Sequence, residues 1–275
     1  MLGTIIRTSR APASAALLCG VTALALLSAA APPALAGRRV IRVMSYNIHQ
    51  LQDASLDDIE DDIEFREVDV VGVQEIYRWQ ARRLARRLGF DKLFAFTHKR
   101  DGVRVGHALF SRFTISSRKE WQLSRGIRED TGELSQPRKL ARIVVRVGRR
   151  PVRIYNTHLE HSTEYIREAQ ARGIMARIDG RRKRTILLCD CNARPGSDTV
   201  EVIRNEFRDA WRMKGEGSGR TCCWSSGDPD LERRLDYVFL RRRPRIPLKL
   251  VRTTTASLGN SDHLGVYADV VIRRA

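Results

Sequence analysis

Six short apolar runs in this chain each carry a carboxylate, an amide or an imidazole at one end. They are Ser45-Tyr46-Asn47, Val73-Gln74-Glu75, Tyr155-Asn156-Thr157-His158, Leu188-Cys189-Asp190-Cys191-Asn192, Arg234-Leu235-Asp236-Tyr237 and Ser261-Asp262-His263, the last opening a run rather than closing one. Burying a single unpaired polar group costs about 1–3 kcal/mol, so one such end needs a local reason and six need a common one. Strand ends that converge on a shared site supply it, and the fold must therefore hold many strands in sheets whose ends meet.

Ten runs have the length, the Val/Ile/Leu/Tyr content and the bounding Gly, Pro or polar clusters of strands: 40–48, 68–74, 92–96, 105–110, 140–147, 152–157, 185–188, 235–240, 248–255 and 264–272. Helical spacing occurs at Leu56, Ile59 and Ile63 behind a Ser55 cap, at Ala81, Leu84, Ala85 and Leu88, at Tyr165, Ile166, Ala169, Gly173 and Ala176, and over 200–207 behind an Asp198/Glu201 capping box. Many strands with helices at intervals point to two sheets packed face to face with helices outside. Hydrophobic residues make up 42% of the chain, enough for a core despite 30% charged residues.

Residues 1–36 read as a signal peptide: Arg7 and Arg10 begin it, 15–31 is apolar and small, and Ala34-Leu35-Ala36 fits a signal-peptidase site. A secreted protein cleaved near Ala36 is the expectation, with 37–275 as a single domain, since no linker, repeat or low-complexity block follows. Cleavage removes two Arg and no acid, so the net charge falls from +18 to +16. Only seven of the fifty basic residues are Lys, an Arg skew that a GC-rich genome can produce unaided. The charge alone is therefore weak evidence for a polyanionic partner. Cys19 leaves with the leader, and the remaining Cys189, Cys191, Cys222 and Cys223 permit disulfides outside the cytoplasm. Their spacings are not those of usual zinc ligand pairs.

Glu, Asp and Asn with two His at the run ends, and no GxSxG elbow, suit metal-assisted hydrolysis better than serine chemistry. Oxygen ligands suit a hard ion such as Mg²⁺. The order MSYNIH (44–49), VVGVQE (70–75), GHALFSR (106–112), YNTHLE (155–160), LLCDCN (187–192), RLDYVF (234–239) and SDH (261–263) resembles the endonuclease/exonuclease/phosphatase superfamily. The resemblance implies a four-layered α/β sandwich, two mixed β-sheets face to face flanked by helices. It implies Glu75 as the principal Mg²⁺ ligand (Mn²⁺ as a substitute), helped by Asn47 and Asp262. His263, oriented by Asp236, becomes the general base or the electrostatic partner of the phosphate. Asp190 positions or deprotonates the attacking water, while Asn192 and His158 donate to non-bridging oxygens. Arg138 sits where some members have a basic residue reaching toward substrate.

Three departures stand out. His49 replaces an acid that abasic-site enzymes use for a second metal, His107 stands where Asn is frequent, and Cys191 fills a usually apolar position. Period two places Cys189 and Cys191 opposite Asp190 and Asn192. With the family's placement of 221–224 beside that strand, a bond from Cys191 to Cys222 or Cys223 is expected.

The expected activity is a secreted, metal-dependent nuclease acting on DNA or RNA, with no obligate protein partner evident. Lys99, Arg100 and Arg104, read as a loop beside the site, would bind backbone phosphates, and Arg82, Arg83, Arg86 and Arg87 form a second basic cluster on a helix. The alternatives are a phospholipase C-like enzyme on sphingomyelin or another lipid phosphodiester at a membrane surface, for which Trp121 is the one hint, a small-phosphoester phosphatase, and a non-catalytic binding subunit. The complete set of polar run ends argues against the last.

Overall fold

Alternation along the strands decides which side chains share the space between the sheets. The computed structural model describes residues 40–178, 183–223, 233–242, 248–256 and 260–272, all within one compact unit spanning Leu35–Ala275. The expected leader at 1–36 and Trp224 lie outside the described residues. The described strands are β1 Val40–Asn47, β2 Val70–Tyr77, β3 Asp91–Arg100, β4 Val103–Ser111, β5 Ile115–Gln122, β6 Lys139–Val147, β7 Arg150–His158, β8 Thr185–Asp190, β9 Phe207–Asp209, β10 Asp236–Arg241, β11 Leu248–Ala256 and β12 Gly265–Ile272. The helices are α1 Leu56–Phe65, α2 Arg78–Arg87, α3 Glu164–Arg177, α4 Asp198–Arg204 and α5 Ala210–Lys214.

The strands form two six-stranded mixed sheets, ordered β11-β12-β1-β2-β4-β3 and β5-β6-β7-β8-β10-β9. The β1/β2 and β7/β8 pairs are parallel and their neighbours antiparallel. Ile41, Val43, Ile154, Ile186, Leu188, Val238 and Leu240 belong to the inner core between the sheets. A second cluster unites Tyr46, Val71 and Val73 with α1 and α2, and a third unites Leu187, Tyr237 and Phe239 with α3 and α4. The α/β sandwich is thus layered as expected.

Following the inner parity to the strand ends accounts for the polar run ends of the sequence. Ile41 and Val43 lead to Ser45 and Asn47, Ile154 to Asn156 and His158, Ile186 and Leu188 to Asp190, and Val238 back to Asp236. Each strand presents apolar residues over most of its inner face and polar ones at the same end. Just below that end the sheets interlock. Asn156 Nδ2 donates to the carbonyls of Val73 and Ala108 at 3.2 and 2.9 Å, and Gln74 Nε2 donates to Asn156 Oδ1 at 2.7 Å. Gly72 admits this crossing, since a Cβ there would lie 2.8 Å from the Asn156 side chain.

Four expectations are corrected. The segment 200–207 is not one helix: α4 stops at Arg204, and Phe207 enters β9 opposite Arg241. Its cap is Ser197, whose Oγ accepts from Val200 N–H at 3.3 Å; Asp198 and Glu201 both fall in the first turn, where their charge favours the helix dipole. The bond from Cys191 to Cys222 or Cys223 is replaced by Cys189–Cys191 and Cys222–Cys223 disulfides. The alternation that turns Cys191 away from Asp190 turns Cys189 the same way, 5.2 Å distant at Cα and within bonding range. Lys99, Arg100 and Arg104 belong to the β3–β4 hairpin rather than to a loop, because Asp101 and Gly102 (φ 49° and 77°) close a two-residue turn and pair Lys99 with Arg104.

Candidate active site

The polar strand ends surround a cavity of about 560 Å³. From the first sheet come Asn47, Glu75 and His107; from the second come His158, Asp190 and Asn192; His263 joins from the segment before β12. Two backbone devices aim the carboxylate and amide: Glu75 (φ 52°), where β2 and β4 slip register between Val73 and Ile76, and Asn192 (φ 48°) just beyond β8. Left-handed backbone at non-glycine residues is strained, and such residues gather at working sites.

Asn47 Nδ2 donates to Asp190 Oδ2 at 2.9 Å and to Glu75 Oε1 at 3.2 Å, tying the two sheets together at the cavity floor. His158 Nε2 lies 3.4 Å from Asp190 Oδ2 and 4.0 Å from Glu75 Oε1. His263 Nδ1 lies 2.8 Å from Asp236 Oδ2. Thr221 Oγ1 accepts from the Leu235 and Asp236 N–H groups, and Ser261 Oγ accepts from His263 N–H, fixing both partners of that pair.

These contacts set the charges. Burial and then the neighbouring Asp236 push Asp190 up to about 7. Burial works against charge on His263 as well, but Asp236, Asp190 and Asp262 outweigh it and raise the imidazole to about 10. His158 has no such surplus of anions: burial, then Arg138 and His263, hold it well below the ordinary histidine value. His107 falls to about 3, chiefly by burial. Burial opposes charge on Glu75, yet amide donors from Gln50 and Asn47 keep its carboxyl below the usual range.

The expected residues divide into those that meet and those that do not. Asn47, Glu75, His158, Asp190, Asn192 and His263 all line the cavity, with Asp236 directly behind His263. Arg138 lines it too, buried, its Nε without a hydrogen-bond partner among the described residues. Lys99 and Arg100 stand at its wall, whereas Arg104 does not line it and lies over the Phe96 ring at 5.4 Å. Asp262 is outside the lining, 3.6 Å from His49 Nδ1, which is itself 2.7 Å from Asp53 Oδ2. The α2 arginines face elsewhere, and Arg87 pairs with Asp57 and Glu60 of α1. Trp121 is no exposed anchor: it is half-buried, stacked 6.3 Å from Tyr155, with Lys119 over its ring.

Gln50, His98 and His161 line the cavity without having been singled out from sequence. His98 follows a register slip in β3, which no hydrophobic pattern signals. His161 follows the YNTHLE motif directly and sits 3.2 Å from buried Glu160, a neighbour that could have marked it.

The donor set fits a hard divalent cation. Glu75 opens into the cavity with no Lys or Arg within ion-pair reach among the described residues, and the Asn47 amide and the Asp190 carboxylate stand beside it. The arrangement as a whole suits attack of water on phosphorus, with positive and hydrogen-bonding groups ringed around the place where charge is redistributed.

Comparison with known proteins agrees with this reading. Residues 44–263 match the model of the Endonuclease/Exonuclease/phosphatase family. No curated protein matches the sequence at a significant level. Similar solved structures include an endonuclease/exonuclease/phosphatase from Beutenbergia cavernae DSM 12333, 25% identical with TM-score 0.74, covering 86% of this chain and 73% of that one. The Bacteroides thetaiotaomicron VPI-5482 mannosyl-6-phosphatase is 18% identical with TM-score 0.67, covering 84% and 100%. D. rerio TDP2, complexed with single strand DNA product, is 21% identical with TM-score 0.62, covering 85% and 99%.

Proposed function

Since the chain belongs to the endonuclease/exonuclease/phosphatase family, we propose that it is a secreted nuclease that hydrolyses phosphodiester bonds with the help of a divalent metal. The observation that carries the reading is the meeting of Asp190, bonded to Asn47 and 3.4 Å from His158, with an Asp236-bound His263 across one cavity, beside cationic Arg138, Lys99 and Arg100. A carboxylate with a pKa of about 7 is matched to general-base work at neutral pH. Asp190, held by Asn47 and by the Asn192 N–H at 3.1 Å, orients the water and takes its proton as the new P–O bond forms. The imidazolium of His263, fixed by Asp236, offsets charge on the phosphoryl oxygens, and neutral His158 adds an N–H donor. The ester P–O bond breaks on the opposite side, in line with the attacking water.

Enzymes of this family generally depend on a divalent metal. Glu75 would hold it with Asn47, and Mg²⁺ or Mn²⁺ there would supply charge stabilisation to the phosphoryl group. The cavity lining has Val105 as its single aliphatic side chain and no Phe, Tyr or Trp among the described residues. A nucleobase finds no Phe, Tyr or Trp ring to stack on there and meets mostly charged and hydrogen-bonding groups, so cleavage should depend more on the sugar-phosphate backbone than on base identity. The same lining also favours a second reading, a small phosphorylated polyol as substrate. The lipid reading loses the support of Trp121.

Plasmid DNA, RNA, a sugar phosphate and sphingomyelin liposomes assayed in parallel with Mg²⁺ test this. Release of nucleotides or nicked plasmid, abolished by chelator and restored by Mg²⁺ or Mn²⁺, is expected. Full activity in excess chelator, or turnover of the sugar phosphate alone, would overturn the nuclease reading.

A further inference from the structure

Between β1 and α1 the chain makes a single 3-10 turn, His49–Leu51, whose three residues all have left-handed backbone (φ 45°, 56° and 60°) without a glycine among them. Three such residues in succession must be held by their surroundings. His49 N–H donates to Asn47 Oδ1 at 3.0 Å, Gln80 Nε2 donates to the Gln50 carbonyl at 3.3 Å, and Leu51 packs on the core beneath α1 and α2. Gln80 is itself buried, its Oε1 accepting from Tyr77 N–H at 2.8 Å.

The result of this outlay is the direction of the Gln50 side chain. Its Nε2 donates to Glu75 Oε2 at 2.9 Å, and its Oε1 accepts from Arg100 Nη1 at 2.8 Å. A guanidinium has only donors and a carboxylate only acceptors, so the polarity of this bridge is fixed, and a neutral carboxamide satisfies both ends. A glutamine that merely closed the turn would need neither partner.

We propose that Gln50 is a positioning residue that couples the basic β3–β4 hairpin to the metal-holding carboxylate Glu75, so that Arg100 and the metal ion are bound more tightly together than apart. The coupling rests on the reading of Glu75 as a divalent-metal ligand. Arg100, held by the carboxamide oxygen, polarises the amide and strengthens its N–H bond to Glu75. With Oε2 held by Gln50 and Oε1 by Asn47, the Glu75 carboxylate is fixed in orientation and keeps its remaining lone pairs for the ion, the role that outer hydrogen-bond partners play for metal ligands.

Calorimetric titration with Mn²⁺ in the absence of substrate tests this in four proteins: the parent, Gln50→Met, Arg100→Ala and the double variant. Met keeps the length of Gln without donor or acceptor; Gln50→Ala serves as a second replacement if Met fails to fold. The Mn²⁺ dissociation constant is expected to rise about tenfold in Gln50→Met. It should also rise in Arg100→Ala but not further in the double variant. Direct repulsion between Arg100 and the ion predicts the reverse sign, tighter Mn²⁺ binding on loss of Arg100 in both backgrounds. In steady state, Gln50→Met should raise KM and the metal requirement together while kcat at saturation falls less. Unchanged Mn²⁺ affinity in a folded Gln50→Met, or an Arg100→Ala effect equal in both backgrounds, would overturn the coupling and leave the hydrolase reading intact. A parent protein that binds no Mn²⁺ would overturn both.

Discussion

Two walls of the cavity each carry an imidazole against a carboxylate, and they end in opposite states. On one, His263 sits 2.8 Å from Asp236 and is raised to about 10; on the other, His158 sits 3.4 Å from Asp190 and is depressed well below the ordinary value. Both are buried, so burial does not separate them. What differs is the company: Asp236, Asp190 and Asp262 act on His263, whereas Arg138 and the other histidines act on His158. One wall offers a fixed positive charge and the other a neutral donor, a division of labour that two residues of one type acquire purely from their neighbours.

The largest expected effect breaks this asymmetry at the charged wall. His263→Ala and Asp190→Ala should each lower kcat by roughly three orders of magnitude or more in folded protein, and His158→Ala by roughly two. Equal losses for the two histidines, measured by single-turnover hydrolysis, would remove the distinction. Asp236→Asn sharpens it. In the metal-free protein the ring-nitrogen NMR shifts of His263 should report an imidazolium at pH 8, becoming neutral in the variant, while His158 reads neutral at pH 6.5 in both. Because the folded value of His263 lies above its unfolded value, its contribution to stability is complete below pH 6.5 and fades as pH rises through about 10. Removing Asp236 from this buried pair should cost on the order of 3 kcal/mol by denaturant unfolding near neutral pH.

Smaller effects lie at the mouth. The slope of log K for DNA against log salt should fall by about one unit each for Lys99→Ser and Arg100→Ser and by little for Arg104→Ser, which is seated on Phe96. Equal changes for all three would place Arg104 at the backbone after all. The smallest effect concerns the cysteines. Non-reducing peptide mapping should find each bond within a single peptide, 189–191 and 222–223, and a crosslink between the two segments would refute that connectivity.

The floor of the site was readable in the sequence because a polar residue at the inner parity of an apolar strand is costly to bury unless a partner or a site requires it there. Asn47, His158, Asp190 and Asp236 announced themselves in this way. The rim was not, since Gln50, His98 and His161 lie in a turn, beyond a register slip and beyond a strand end, where periodicity carries no information. Similarly, β5 escaped notice because ISSRKEWQ is an edge strand paired only with β6 and mostly solvated, without the apolar run that marks the inner strands. The cysteine pairing failed for a different reason: alternation fixed the direction of Cys191 but put Cys189 on the same side within bonding range, a partner the longer-range reading passed over.

β12 enters the first sheet between β11 and β1, and His263 lies just ahead of it. A growing polypeptide therefore owns Asn47, Glu75, His158 and Asp190 long before it owns a hydrolase. The imidazolium arrives only when the last strand threads into a gap in a sheet begun by the first one.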